Sequence, residues 1–196
     1  MRIYLATGNA GKVRDFRALG LAIEMLPGFS SLPTAEETGG SFAENARIKA
    51  LYYGRLTQEA VLADDSGLEV EALGGAPGVY SARYAGPHGD EAANSRLLLE
   101  RLQGLGEGQR RARFVCALAL TRQGVVLGEF GGTAEGRILE MARGGEGFGY
   151  DPLFYSAEAG AGFGELSAEQ KGRYSHRGAA VRALIEWIGS DEAQIA

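Results

Sequence analysis

Hydrophobic and polar residues follow two different periods along this chain, which predicts interleaved strands and helices. Three short apolar runs are typical of buried strands: Arg2–Ala6, Leu21–Leu26 and Ala60–Ala63. Between the first two runs, Lys12–Leu19 has helical spacing, with Val13 and Phe16 three residues apart and Gly20 as a stop signal. The pattern therefore begins strand, helix, strand.

A stronger helix signal begins at Ser41. In "SFAE" the Ser41 hydroxyl can accept from the Glu44 amide while Glu44 reaches back, which is a capping box. We expect this helix to run to about Tyr53. Beyond it, "DDSG" is expected to break the strand that starts at Ala60–Ala63, and "LEVEAL" resumes it with one wet face.

The second half of the chain predicts further helices and a hairpin. The expected elements are a helix at Asp90–Leu102, strands at Arg113–Leu120 and Val125–Phe130 around "RQG", and a last helix capped by Ser175 and ended by Gly189. Interleaved strands and helices predict an α/β protein with a long mixed sheet. Since no internal repeat or long linker is present, we predict one domain, residues 1–196.

Composition and charge narrow the class of protein. The chain has 196 residues, 45% hydrophobic and 23% charged, as in soluble globular proteins. Its net charge of −5 argues against a general nucleic-acid binder. Cys116 is the single cysteine, so neither an internal disulfide nor a cysteine metal cluster is expected. No apolar stretch is long enough for a membrane span, and a cytoplasmic location is expected.

The stretch "ATGNAGK" lies between a predicted strand and a predicted helix. It is not a P-loop, because Ala6 stands where the first glycine belongs and Val13 where a hydroxyl belongs. One interpretation is a phosphate site in which the helix amides, Thr7 and Asn9 orient an anion and Lys12 adds charge. The other is a plain turn with Asn9 as the helix cap.

Acidic residues occur in two polar segments. In "VLADDSG", Asp64 and Asp65 point to opposite faces of a strand, so one of them is expected to enter a given site. Carboxylate oxygens are the ligands that Mg²⁺ prefers, but Asp, Ser and Gly are also common in polar turns. Glu36 and Glu37 in "AEETGG" form a second acidic source or a solvated loop.

Lysine is scarce, which draws attention to where it occurs. Of 20 basic residues, three are lysines, Lys12, Lys49 and Lys171, and each lies in a polar, motif-like segment. A lysine ammonium is a compact point charge that suits phosphate, whereas arginine offers a wide fork. With three residues, chance is the competing explanation.

Two later segments contain aromatic and basic side chains. In "GFGYDP", Phe148 and Tyr150 could stack on a base, and Asp151 could accept a hydrogen bond from the base or ribose. The competing interpretation is that the two aromatic rings pack into the core. In "YSHRGAA", His176 and Arg177 occupy a helix's first turn, where cations are unfavourable. A bound carbonyl or anion would relieve that conflict, unless both side chains point into water.

Five motifs in one order resemble a known family. They are "LATGNAGK", "EETGGSFAENARIKA", "ADDSGLEVEALGGAPGVYSARYAG", "GFGYDPLF" and "KGRYSHR". Their order and spacing resemble the inosine/xanthosine triphosphate pyrophosphatases over nearly the whole chain. One departure is Gly172, where the family usually has asparagine after the lysine.

The resemblance implies a fold and an activity. The implied fold is an elongated α/β mixed sheet with flanking helices, in two lobes around a central cleft, usually as a homodimer. The implied reaction hydrolyses non-standard purine nucleoside triphosphates (ITP, dITP and XTP) to the monophosphate and pyrophosphate, with Mg²⁺.

The resemblance also implies residue roles. Asp65 would bind Mg²⁺ and accept a proton from the attacking water, with Glu37, in preference to Glu36, as second metal contact. The resemblance implies that the phosphates are bound by Thr7, Gly8, Asn9, Ala10, Gly11 and Lys12, with Lys49 near them. It implies that Ser66 touches the substrate, that the nucleoside pocket is lined by Phe148, Gly149, Tyr150 and Asp151 with Phe148 stacked on the base, and that the pocket is completed by Lys171, His176 and Arg177.

Two other functions compete with this interpretation. A related pyrophosphatase of the septum-inhibitor type would begin with a Ser-x-Ser-Pro-Arg-like loop, which "ATGNAGK" does not match. A non-enzymatic nucleotide-binding regulator would need neither a general base nor metal ligands, so "DDSG" and "EETGG" argue against it. Turnover of inosine triphosphate separates the regulator from the enzymes.

Overall fold

A computed structural model describes residues 2–87 and 89–190 of the chain. Strands and helices alternate in the first half, and strands dominate the middle. The elements are β1 Ile3–Leu5, α1 Ala10–Ala18, β2 Ile23–Met25, α2 Phe42–Gly54, β3 Ala60–Val70, α3 Glu91–Arg101, β4 Arg111–Arg122, β5 Val125–Ile138, β6 Phe154–Ser156, β7 Ala161–Gly162, α4 Ala168–Tyr174 and α5 His176–Ile188.

The strands form one mixed sheet of seven, in the order β2-β1-β3-β4-β5-β6-β7. The first strand runs parallel to both of its neighbours, with Leu5 opposite Met25 on one side and Leu62 on the other. The pairs β5–β6 and β6–β7 are antiparallel. The predicted α/β fold with a long mixed sheet is therefore confirmed.

Contacts divide the chain into two compact units. The first unit contains the chain up to Asp65, Cys116–Gly132, and the chain from Arg177 onward. The second contains Ser66–Val115 and Thr133–His176. Strands β3, β4 and β5 each supply residues to both units, and the prediction of one domain over residues 1–196 stays a prediction.

In the first unit, β1 and the start of β3 are buried on both faces. Residues at alternate positions join two separate apolar clusters, one with α1 and α5 and the other with α2. Ala60 and Leu62 belong to the first cluster, and Val61 and Ala63 to the second. This double burial explains why both strands read as continuous apolar runs.

The second unit has its own apolar core, built from β3, α3, β4, β5 and the segment around β6. Three phenylalanines meet at its centre. The ring centroids of Phe114 and Phe154 are 4.7 Å apart, and those of Phe154 and Phe163 are 4.9 Å apart. Such tilted aromatic pairs contribute beyond their buried area.

The predicted break at "DDSG" is wrong, because β3 continues without interruption from Ala60 to Val70. Asp64 and Asp65 are both buried within the strand, at 3% and 7% exposure. Each carboxylate has a cationic partner, which offsets the cost of burying charge. A polar stretch that suggests a turn by composition is therefore accommodated as strand by tertiary ion pairs.

Other boundaries also differ from the predictions. Helix α1 starts at Ala10 rather than Lys12 because Asn9 caps it. The hairpin strands are longer than predicted and turn at Gln123 and Gly124, both with positive φ. The short helix α4 was not predicted, although Ser167 and Gln170 form a capping box at its start.

The described helices include none with the length and apolar character needed to cross a bilayer.

We predict that the Cys116 thiol is unreactive in the folded protein. The side chain is 1% exposed, and burial, followed by the neighbouring Asp64 charge, raises its pKa well above the ordinary value, so the thiol stays protonated near neutral pH. Iodoacetamide at pH 8 should modify the urea-unfolded protein and leave the native protein unmodified, as measured by intact mass. Equal labelling of both would contradict this prediction.

Candidate active site

The loop after β1 is organised by its own side chains. The Asn9 Oδ1 atom accepts from the backbone N–H groups of Gly11 and Lys12, at 2.8 and 3.2 Å, and so caps α1. The Thr7 hydroxyl oxygen accepts from the Asn9 N–H at 3.1 Å. The cap that competed with a phosphate site is therefore present, and the Thr7 hydroxyl hydrogen and the Asn9 amide hydrogens are the donors left to a ligand.

Asp64 gathers side chains from three elements of the first unit. Arg177 Nε donates to its carboxylate at 3.1 Å, Lys12 Nζ lies 3.4 Å away, and the Cys116 thiol contacts it at 3.7 Å. The other end of the Arg177 guanidinium pairs with Asp15 at 2.7 Å. Arg177 is 2% exposed, so its charge is balanced by carboxylates inside the protein.

This pairing resolves the conflict noted at the start of α5. An arginine in the first turn of a helix is unfavourable unless negative charge lies nearby. Asp64 and Asp15 supply that charge. The prediction that Arg177 also touches a substrate stays a prediction, and any such contact would be made in addition to these two ion pairs.

Asp65 points to the opposite face of β3, toward α2. Its Oδ1 atom accepts from Lys49 Nζ at 2.8 Å, and the same ammonium lies 3.0 Å from Glu37 Oε1. Asp65 Oδ2 is buried and has no hydrogen-bond donor among the described residues. Neighbouring carboxylates on one strand are thus sent to two different sets of partners, as the alternation predicted.

Burial and ion pairing act against each other on this pair. Burial raises the pKa of Asp65, and attraction to Lys49 opposes that shift without cancelling it, so the net direction is upward. Burial lowers the pKa of Lys49, but the charges of Asp65 and Glu37 outweigh burial and raise it. Lys49 therefore stays charged, while Asp65 accepts a proton more readily than an ordinary aspartate.

Glu37 and Asp65 fit a hard divalent cation. Their carboxylates reach one point, since both contact the Lys49 ammonium, and Asp65 Oδ2 has its lone pairs available. Within the described part of the chain, no group of three or more His, Cys, Asp and Glu side chains is placed to hold a metal. Mg²⁺ commonly takes one or two protein carboxylates and completes its shell with phosphate and water.

A second set of predicted residues lies in the other unit, around Asp151. This carboxylate is 3% exposed and accepts from Lys171 Nζ at 2.6 Å and from the Phe148 backbone N–H at 2.9 Å. The Lys171 ammonium also lies 5.1 Å from the centroid of the Phe148 ring. Asp151 and Lys171 therefore fix the position of Phe148.

The neighbouring predicted residues have structural partners too. The Tyr150 hydroxyl is buried and donates to the Ser81 carbonyl at 2.9 Å, so Tyr150 supports the loop from inside. The Gly149 N–H donates to Glu91 Oε2 at 2.8 Å. The His176 ring, 3% exposed, stacks on Phe114 at 4.7 Å. Ser66 is half-buried on β3.

Comparison with known proteins places the chain in a family. A sequence model of the Ham1 family matches residues 3–187. The chain belongs to the Ham1 family. A Thermus thermophilus protein named dITP/XTP pyrophosphatase is 50% identical over 190 residues, which cover 95% of this chain and 91% of that protein.

Solved structures agree with the Ham1 assignment. The Staphylococcus aureus Ham1 protein matches with a TM-score of 0.83 and 38% identity, covering 96% of this chain and 98% of that one. A Mycobacterium abscessus protein named nucleoside-triphosphatase / dITP/XTP pyrophosphatase matches with a TM-score of 0.72 and 41% identity, covering 94% and 99%.

Among the residues predicted to form the site of this Ham1 protein, the structure brings Lys49 into direct contact with Glu37 and Asp65. Lys171, Asp151 and Phe148 form a separate contact set. Sequence reasoning missed the pairing roles of Asp64 and Asp15. Asp15 stands three residues after Lys12 on one helix face, and this spacing was the available signal.

We predict that Arg177→Met strongly destabilises the protein, because it leaves Asp64 buried without its guanidinium partner. Breaking a buried ion pair from one side costs about 3–5 kcal/mol of unfolding free energy. Urea unfolding followed by circular dichroism measures the change. Arg47→Met is the control, since Arg47 pairs with Glu129 on the surface and its removal should leave stability nearly unchanged. Similar changes in both variants would contradict the argument.

Proposed function

We propose that this Ham1 protein hydrolyses ITP, dITP and XTP to the nucleoside monophosphate and pyrophosphate, removing non-standard purines from the nucleotide pool. Two kinds of observation support the proposal. Relatives that match almost the whole chain are named dITP/XTP pyrophosphatase. The observation that carries the proposal is Asp65, a buried carboxylate with one oxygen held by Lys49 and the other, also buried, without a hydrogen-bond donor among the described residues.

Asp65 is proposed to act as the proton acceptor. Its Oδ2 atom takes a proton from water, the water oxygen bonds to the α-phosphorus, and the bond from that phosphorus to the α–β bridging oxygen breaks. Pyrophosphate leaves with the bridging oxygen. The raised pKa of Asp65 suits a general base, whose efficiency increases as its pKa approaches the working pH.

Mg²⁺ is the proposed cofactor, held by Glu37 and Asp65. When bound, it supplies positive charge to the phosphate oxygens. The named ion pairs around Asp64 and Asp65, all between described residues, contain three cations (Lys12, Lys49 and Arg177) and four carboxylates (Asp15, Glu37, Asp64 and Asp65). This set has an excess of one formal negative charge, which repels a triphosphate. An added cation would offset that charge and so favour binding of the triphosphate near Asp64 and Asp65.

Phosphate binding is proposed for the loop after β1 and for two lysines. Thr7 and Asn9 orient the phosphates with the hydrogens that the loop itself leaves available. Lys12 contributes charge, and its two contacts, with the Asp64 carboxylate and the Asp64 backbone carbonyl, are both long at 3.4 Å, so an anion would compete with them for the ammonium. Lys49 neutralises charge beside Asp65. The remaining loop positions proposed to contact phosphate are Gly8, Ala10 and Gly11, and Ser66 on β3 is proposed to touch the substrate.

The nucleoside is proposed to bind at the Phe148 loop of the second unit. Phe148 stacks on the base, and the Asp151–Lys171 pair fixes its ring. Gly149 and Tyr150 shape the loop through their bonds to Glu91 and Ser81. His176 and Arg177 are the proposed donors toward a 6-oxo purine, which adenine would leave unpaired, and Lys171 is proposed to complete the pocket. We further propose that the enzyme is cytoplasmic and homodimeric.

We predict that pyrophosphate release from ITP exceeds that from ATP by about ten- to a hundredfold, because one buried unmade hydrogen bond costs roughly 1–3 kcal/mol. A panel of ITP, dITP, XTP, GTP and ATP, scored for both pyrophosphate and phosphate with and without Mg²⁺, measures this. ITP is also expected to exceed GTP, but guanine carries a 6-oxo group, so this selectivity requires a contact that disfavours its 2-amino group. Equal rates on all purines would refute the selectivity, and phosphate as the main product would refute cleavage at the α–β bond.

We predict different kinetic effects for Asp65→Asn and Lys12→Met. Asp65→Asn should abolish most turnover while the protein stays folded, since an amide does not accept a proton. Lys12→Met should lower kcat/KM for every triphosphate by a similar factor. The substitution removes a positive charge from the proposed phosphate site, and Lys12 has no proposed contact with the base. Steady-state kinetics on ITP and ATP, with circular dichroism as the folding control, separates the two. Retained activity in Asp65→Asn would remove Asp65 from the mechanism.

A further inference from the structure

The segment that carries Glu37 is held against the start of α2 by side chains of that helix. The Gly39 N–H donates to Asn45 Oδ1 at 2.8 Å, and the Gly40 N–H donates to Glu44 Oε2 at 2.7 Å. The Glu44 N–H in turn donates to the Ser41 hydroxyl at 3.2 Å. The loop before α2 is thus fixed by two consecutive backbone hydrogen bonds to helix side chains.

Gly39 approaches the helix more closely than any other residue type allows. A Cβ atom at this position would lie 2.6 Å from Glu44 Cβ and 2.8 Å from Asn45 Oδ1. Gly39 is not among the glycines with positive φ, so the requirement comes from the contact and not from the backbone conformation. At Gly40 a Cβ would meet Glu44 Oε2 at 3.7 Å, an ordinary contact.

Asn45 is fully buried, and its side chain is engaged through one end. Oδ1 accepts from Gly39, while Nδ2 has no acceptor among the described residues. A buried donor without an acceptor is unfavourable, so burial of the Nδ2 group does not stabilise this position. The hydrogen bond between Oδ1 and Gly39 is the favourable polar contact of the Asn45 side chain. An amide supplies this acceptor without placing another negative charge against Gly39, which is two residues from Glu37.

The contact bears on the geometry around Asp65. Glu37 is two residues before Gly39, and its Oε1 atom lies 3.0 Å from Lys49 Nζ, which lies 2.8 Å from Asp65 Oδ1. Asn45 and Lys49 are four residues apart on one face of α2. One helix therefore holds the Glu37 loop at its first turns and receives the Glu37 carboxylate a turn later.

We propose that Asn45 and Gly39 are positioning residues that hold Glu37 beside Asp65 and thereby set the affinity for the divalent cation. The proposal rests on the proposed function, because it assigns to Glu37 a share in binding Mg²⁺. Neither Asn45 nor Gly39 contacts the substrate or the cation. Their effect is to keep the Glu37 carboxylate where one cation reaches both acids.

The test perturbs the same contact from both partners. Asn45→Ala removes the acceptor, Gly39→Ala forces the loop away from it, and the double variant does both. Gly40→Ala is the matched control, with the same substitution one residue later and no clash. Thermal unfolding checks that each variant is folded.

Amide hydrogen exchange of residues 36–40, measured by mass spectrometry without nucleotide, reports loop position directly. Exchange should become faster in both single variants and the double variant, and should stay slow in Gly40→Ala. The Mg²⁺ concentration for half-maximal pyrophosphate release should rise about fivefold in each single variant, as expected for one lost hydrogen bond. The double variant should need at least as much Mg²⁺ as Gly39→Ala, because a Cβ at position 39 still clashes with Glu44 Cβ when Asn45 is shortened.

Glu37→Gln provides the decisive background. If the contact acts through Glu37, Gly39→Ala should not raise the Mg²⁺ requirement of Glu37→Gln any further. A full additional increase in that background, or unchanged exchange in Gly39→Ala and Asn45→Ala, would overturn the proposal. Failure of the proposed function shows instead in the unsubstituted protein, as absence of pyrophosphate release from every nucleotide of the panel.

Discussion

Two adjacent buried carboxylates, Asp64 and Asp65, are the constraint on which the first unit depends. A strand sends neighbouring side chains to opposite faces, and both faces of β3 are covered. Neither carboxylate can therefore escape to water, and each needs a cation on its own side. Arg177 and Lys12 meet this need on one face, and Lys49 meets it on the other.

This requirement explains features that look unrelated in the sequence. A cation in the first turn of α5 is unfavourable by itself, but Asp64 and Asp15 make it part of a buried network. Lysine, rather than arginine, stands where a single ammonium contacts two carboxylates, as Lys49 does with Asp65 and Glu37. A glycine at 39 allows the acidic loop to lie directly on α2.

Local pattern predicted the elements whose signals are local, and it failed where distant residues decide. The α2 capping serine, the hairpin and the apolar strands follow from periodicity and capping chemistry. The continuity of β3 through "DDSG" does not, because it depends on Arg177, which is 113 positions away from Asp64. The partners of Arg177 were equally out of reach, since spacing along the chain does not specify which buried charges meet.

The candidate site shows the same division between residue type and placement. Alternation along β3 predicted that only one aspartate faces a given site, and the motifs predicted which residue types form that site. The preference for Glu37 over Glu36 came from the family resemblance, because two adjacent glutamates in a loop cannot be distinguished by residue type. The structure provides a physical reason to favour Glu37, whose carboxylate contacts Lys49, and this contact depends on how the loop packs on α2.

The charge balance of the Asp64–Asp65 network links the proposed cofactor to the proposed substrate. The named ion pairs carry one excess negative charge, and a triphosphate is also negative, so each opposes the other in the absence of an added cation. A divalent cation is attracted to both, and by thermodynamic reciprocity each ligand then raises the affinity for the other. Lys49 takes part in this coupling, because the ammonium occupies the point where Glu37 and Asp65 converge. A divalent cation held by Glu37 and Asp65 would share these carboxylates with the Lys49 ammonium, and a phosphate oxygen would give Lys49 a further negative partner.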